Sequence, residues 1–295
     1  MEHLTFIEHS SSDLSTWARA HFEGVTLGHV ARNRRAVVIA EAFARRPGAS
    51  IPRLFDTRSD VNAAYTFFEH PEVTLDALQQ QHRAAVGRAA GEAGLVLLIE
   101  DGTEVSYSHR ADRLDGLGSI GQGRAHQQGF SLHTTLAARC PHGTVLDEHG
   151  QRHSVRLLGI ADQQVIVRPW PPARSRPNKE SKARKGEGRE TEVWERAAAR
   201  VGPAPAGVRW ERIADREADF YENLSQSQQL GHGYTIRAKH NRALVDAVGG
   251  EKLFDRIRSA DAIGQYAIEL RARPNQVART ANVSVSVCEV VIQAP

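Results

Sequence analysis

The chain has 295 residues, 40% of them hydrophobic and 25% charged. That is enough for one large domain or two ordinary ones around real cores, and it excludes a disordered chain or a small disulfide-stapled scaffold. The longest aliphatic run, Leu95-Val96-Leu97-Leu98-Ile99, is five residues, against the roughly 20 that a bilayer-spanning helix needs. The opening Met1-Glu2-His3, with acids at Glu8 and Asp13, shows no export signal. The expectation is a protein of the cytoplasm with no membrane segment.

Cys140 and Cys288 lack a metal-like spacing and read as reduced thiols, so no zinc site is expected. Net charge is only +3, yet the bases are unevenly placed. Residues 30–58 hold seven arginines against Glu41 and Asp56, and residues 168–189 hold eight bases against Glu180 and Glu187. Two basic islands in a near-neutral chain suit local contact with a polyanion, and equally suit solvated helix faces.

In chain order, residues 31–46 place Ala36, Ile39, Ala40 and Phe43 on one helical face, and Pro47-Gly48 stops the helix. Residues 60–68 read as a second helix with its aromatics packing inward, broken at His70-Pro71. Thr74 caps a third, with Leu75, Leu78 and Val86 along one stripe. Leu95–Ile99 then reads as a strand buried on both faces, ending in Glu100-Asp101-Gly102-Thr103-Glu104. Further strands are expected at 132–138 and 164–170, with turns around 141–152 and a mobile basic loop over 168–189. A helix resumes near Val193-Trp194, and a strand over 208–214 ends in the second acid cluster, Asp215-Arg216-Glu217-Ala218-Asp219. A strand at 234–238 runs into Lys239-His240-Asn241-Arg242, and alternation at 266–270 and 283–287 marks a β-rich appendage.

Carboxylates at strand ends put a reactive edge on an α/β sheet. Asp101 and Asp215 are the candidates. Two aspartates on neighbouring strands repel unless a divalent cation lies between them, and such sites attack phosphate through metal ions held by hard oxygen ligands, Mg2+ or Mn2+. The same residues also suit simple caps of the turns that follow strands. The two clusters resemble motifs of haloacid-dehalogenase-like phosphatases, but that family needs an aspartate nucleophile where this chain has Ile99, which has no nucleophilic atom.

A second resemblance runs almost end to end. Trp17-Ala18-Arg19, Leu27-Gly28, the arginine helix with Pro47-Gly48-Ala49-Ser50, Ala63-Ala64-Tyr65-Thr66-Phe67 and Pro71-Glu72-Val73-Thr74 occur in order, followed by Ile99–Glu104, Gly116–Gly121, Asp215–Asp219 and Arg237–Arg242. Together they resemble the bacterial DDE transposases of the insertion sequence four group, relatives of the transposon five transposase. The resemblance implies an α/β fold: a helical DNA-binding module over 1–70, a partial ribonuclease H-like catalytic core over 71–242, and an incomplete β-rich insertion over 243–295. It implies cut-and-paste DNA transposition, in which metal-activated water cleaves a strand and the freed 3′-hydroxyl attacks. Asp101 and Asp215 would be catalytic and hold the Mg2+ or Mn2+; Arg32, Arg34 and Arg35 would hold transposon-end phosphates, and Arg237, Lys239 and Arg242 the cleaved strand. The partners it implies are double-stranded transposon-end and target DNA, with homodimerisation or pairing with a full-length transposase.

The pattern breaks at the third carboxylate, which in that family lies in a Tyr-x2-Arg-x3-Glu-x6-Lys signature. Tyr234-x2-Arg237 offers Asn241 where the glutamate belongs, and Tyr107-x2-Arg110 offers Leu114. Glu289 reads as an edge-strand carboxylate. Gly102 also replaces a threonine common beside the first aspartate. The expectation is a chain truncated before the final catalytic helix, binding DNA but catalytically defective by itself, or else a non-catalytic regulator of transposition.

Overall fold

The structure is a computed structural model that describes residues 11–92, 94–109, 112, 114–121, 127–140, 155–170, 191–247, 249–274 and 276–295. The expected turns at 141–152 and nearly all of the second basic island lie outside the described residues.

Five helices come first: α1 (Ser11–Phe22), α2 (Val30–Arg45), α3 (Ile51–Leu54), α4 (Arg58–Glu69) and α5 (Leu75–Ala90). Three of the starts have a clear local cause. The Thr57 hydroxyl accepts from Asp60 N–H at 3.1 Å and Thr74 from Ala77 N–H at 3.1 Å, satisfying amides that have no partner within the helix, and Pro52 sits in the first turn of α3. Val25, Leu27, Ala36, Ile39, Ala64 and Phe67 form a buried core of their own, with Ile51, Phe55, Val73 and Leu78 packed against it. The expected inward packing of the aromatics on α4 holds only for Phe67; Tyr65 and Phe68 are 44% and 43% exposed. Residues 65, 67 and 68 span too much of the helix circumference to share one buried stripe.

The sheet holds β1 (Gly94–Ser106), β2 (Gly118–Ser119), β3 (Gln128–Cys140), β4 (Arg156–Ile166), β5 (Val208–Ala214) and β6 (Gly233–Ile236), with α6 (Glu192–Val201) between β4 and β5 and α7 (Tyr221–Gln229) between β5 and β6. The order is β2-β3-β1-β5-β6, and β4 also pairs with β3. Central β1 runs antiparallel to β3 and parallel to β5. Helix α5 covers one face, where Val86 and Ala90 meet Val96, Leu98, Ala137 and Trp210, and the Trp210 indole N–H donates to Ala90 O at 3.1 Å. Gly159, at φ 133°, lets β4 pass under α5, since a Cβ there would come within 2.9 Å of the His82 ring.

Two strand expectations need correction. Leu95–Ile99 is not buried on both faces: Val96 and Leu98 are buried, but Ile99 is 38% exposed. The described helices α5 and α6 pack on the Val96–Leu98 side; on the other side burial fades along the strand, from Leu95 at 6% exposed to Ile99 at 38%. The strand expected at 164–170 is Arg156–Ile166, because it pairs along β3 from Ser131 to Arg139 and that partner sets its length.

By contact density the chain divides into two units, residues 1–214 with 226–235, and residues 215–225 with 236–295. The second contains a 3-10 turn at Arg216–Ala218, α8 (Leu253–Ser259) and an antiparallel hairpin of β7 (Ala262–Leu270) and β8 (Arg279–Ser286). The β-rich appendage thus has a helix the hydropathy alternation did not reveal. Glu289 lies beyond β8 and is in no strand.

Candidate nucleic-acid interface

In the helical module the arginines divide by what they touch. Arg32 is tied inward, its guanidinium bonded to Leu27 O and 2.7 Å from His70 Nε2. Arg35 pairs with Asp60 at 3.1 Å, Arg45 with Glu41 and Arg46 with Asp56. Arg34, Arg53 and Arg58 are exposed and make no side-chain hydrogen bond or ion pair among the described residues. A cleft of about 380 Å³ between the start of α2 and α4 is lined by His29, Arg32, Arg35, Thr66 and His70, so cations tied on one side still border an open groove.

Within the sheet, the last paired residues of the two parallel strands are Glu100 and Ala214, and Asp101 and Asp215 come next along each chain. Asp101 is exposed, sits opposite Thr134, and accepts Gly102 N–H at 2.8 Å. Asp215 caps the 3-10 turn, accepting Glu217 N–H at 2.7 Å, as the turn-cap reading also expects. Among the described residues no group of three or more His, Cys, Asp or Glu is placed to hold a metal ion. Carboxylate oxygens suit a hard cation in kind.

Behind Asp101 lies a polar network that sequence reasoning missed. Arg212 and Glu100 are 1% and 4% exposed. Arg212 donates from Nε and a terminal nitrogen to Glu100 Oε2 at 3.1 and 2.7 Å, and from its other terminal nitrogen to Ser227 Oγ at 2.8 Å. Thr135 Oγ1 donates to Glu100 Oε1 at 3.3 Å. Burial pushes the Glu100 carboxyl up, and the Arg212 guanidinium pulls it back. His133, opposite Gly102, stacks edge-on against Trp194 with centroids 4.4 Å apart; burial, then the charges of Arg212 and Arg196, lower its pKa to about 4. The signal was parity: Glu100 continues the buried alternation of Val96 and Leu98, and Arg212 that of Trp210, so charges at both core positions imply a mutual pair.

In the second unit, Arg237 and Lys239 are exposed, whereas half-buried Arg242 turns one guanidinium nitrogen inward, bonding the Asp219 carboxylate and, at 2.8 Å, Asp219 O.

Residues 14–73 match a family model described as Transposase DNA-binding. The span takes in most of α1, all of α2 to α4 and their core. The N-terminal module is thus similar to a transposase DNA-binding domain, and DNA is the partner this similarity supports. No helix among the described residues is long and apolar enough to cross a membrane.

Proposed function

We propose that this chain is a transposase-type protein of the insertion sequence four group that binds transposon-end DNA through its N-terminal module and is catalytically defective by itself. The observation that carries the DNA-binding part is the coincidence of the matched span, residues 14–73, with a helical module that has its own core and exposed arginines. A central strand with one antiparallel and one parallel neighbour, acids following both parallel strands, supports a ribonuclease H-like core. Arg34 would contact phosphate directly, as would Arg237 and Lys239 along a second stretch of backbone, while Arg32, Arg35 and Arg242 brace the segments that carry them.

Asp101 and Asp215 would hold Mg2+ or Mn2+, which when bound activates water and stabilises the charge that develops on a phosphodiester. The chain's own part is to hold one oxygen of each carboxylate on a backbone N–H, Gly102 for Asp101 and Glu217 for Asp215. A site short of its third carboxylate loses the geometry that lowers the barrier. The absence of a three-donor cluster among the described residues equally favours a second reading, a non-catalytic regulator that occupies transposon ends or pairs with a full-length transposase.

The test is selection from a library of random duplexes by the full chain, followed by incubation of a plasmid carrying the enriched sequence with the chain and Mg2+. Enrichment of one motif without nicking is expected. No enrichment overturns the DNA-end reading, and robust nicking abolished by Asp101→Ala overturns the defect. Reduced transposition when the chain is co-expressed with an intact transposase acting on the same motif distinguishes the regulator.

A further inference from the structure

The Asp219 carboxylate is 5% exposed and fully engaged. One oxygen accepts the N–H groups of Lys239 at 2.5 Å and His240 at 2.9 Å, and the other is bonded by the Arg242 guanidinium. Burial raises the carboxyl's pKa, and Arg242 with the two amides outweighs burial, so the group titrates below the usual carboxylate range. On the far side of the same four residues, Asn241 Oδ1 accepts Phe254 N–H at 2.7 Å and Arg242 O accepts Leu253 N–H at 2.9 Å, joining the segment to the start of α8.

The main chain of 239–242 is therefore held from two sides, while Arg237, Lys239 and His240 are exposed with no side-chain partner among the described residues. Holding Lys239 in place beside Arg237 gathers positive potential that no acid of the turn answers, since Asp219 is spent on the amides and on Arg242. That arrangement suits an external polyanion: the turn loses little further backbone entropy on contact, so the attraction appears as affinity.

We propose that Asp219 is a positioning residue for nucleic-acid contact, fixing the 239–242 turn so that Lys239 and His240, next to Arg237, meet the phosphate backbone of DNA. The inference rests on the DNA-binding reading above and adds to it the residue that shapes this second contact. Asp219 itself touches no phosphate; its effect passes through the two amides it holds.

The experiment titrates a short fluorescent duplex of arbitrary sequence with the full chain over a series of salt concentrations. Each lost phosphate contact lowers the log-log salt slope by about 0.9. Arg237→Ala with Lys239→Ala is expected to lower the slope by about two, and Asp219→Asn by about one, with a cooperative melt retained. Should Asp219→Asn fail to melt cooperatively, the double variant Asp219→Asn with Arg242→Gln, which leaves no buried charge unpaired, takes its place with the same expected slope. An unchanged slope for Arg237→Ala with Lys239→Ala shows that the turn does not meet DNA and removes both readings of this segment. A lowered slope there, with the parental slope in the folded Asp219 variant, overturns the positioning role alone.

Discussion

Arg212 on β5 and Glu100 on β1 form an ion pair closed at 2.7 Å in the protein interior, one residue before Asp101 and three before Asp215. It joins the two parallel strands near their ends, and through Ser227 and Thr135 it reaches α7 and β3. Two charges taken from water are tolerated here because each is the other's partner and hydroxyls take up further hydrogen-bonding capacity.

Arg212→Met or Glu100→Leu alone is expected to cost about 3–5 kcal/mol, because either leaves a buried charge unanswered. Glu100→Leu combined with Arg212→Met is expected to recover most of that loss. Urea unfolding of the four proteins as a double-mutant cycle measures the coupling; additive single losses would show that the residues do not depend on each other.

Acid should weaken the fold through its histidines. His133 and His82 each have a folded pKa lowered to about 4, chiefly by burial. His82 accepts Ile160 N–H on Nε2 at 3.0 Å and lies 3.0 Å from His21 Nδ1, so its ring is neutral with the proton on Nδ1. The unfolded chain takes up protons near pH 6.5 and the folded chain only near 4, so stability falls as pH drops from about 6.5 to about 4 and has no further loss from these groups below that. His133→Phe, which keeps the edge-on contact with Trp194, is expected to reduce the loss across this window by about 2 kcal/mol. Denaturation midpoints at pH 7 and pH 4.5 check it.

Gly102→Thr is expected to stabilise the protein by about 0.5–1 kcal/mol, since glycine in a strand carries extra conformational freedom into the unfolded state. A Cβ at this position meets nothing within 4 Å, so the substitution has room. A raised melting temperature confirms it, and a fall would mean that the branched side chain meets His133 after all.

Two arginines two residues apart should fail differently. Arg34→Ala is expected to weaken binding to duplex DNA and lower the salt slope by about one while the melting temperature holds. Arg32→Ala is expected to lower the melting temperature, because Arg32 links Leu27 O and His70 within the module. Anisotropy titrations and thermal melts on both variants separate the roles.

Much of the local structure could be read from residue pattern. Thr74 caps α5 and Pro47-Gly48 follows the end of α2 as expected, and the strand over 208–214 falls on β5 without adjustment. Such features depend on neighbours in the chain, which pattern records directly. Failures came where a distant element decided. Phe68 stays 43% exposed although its ring meets Phe43 of α2 edge-on, and Ile99 is open because α5 and α6 pack on the opposite face of the sheet.

The order of acidic and basic motifs and the arginine-rich N-terminal helix were both present in the linear chain. Which arginines are spent inside the protein and which stand exposed came only from the tertiary structure, as did the burial of Glu100 against Arg212 and the anchoring of Lys239 and His240 by Asp219. A side chain's charge is inherited from its covalent structure, whereas its partner is whatever the folded chain brings within hydrogen-bonding distance, and at separations of 20 to 112 residues no local pattern specifies that.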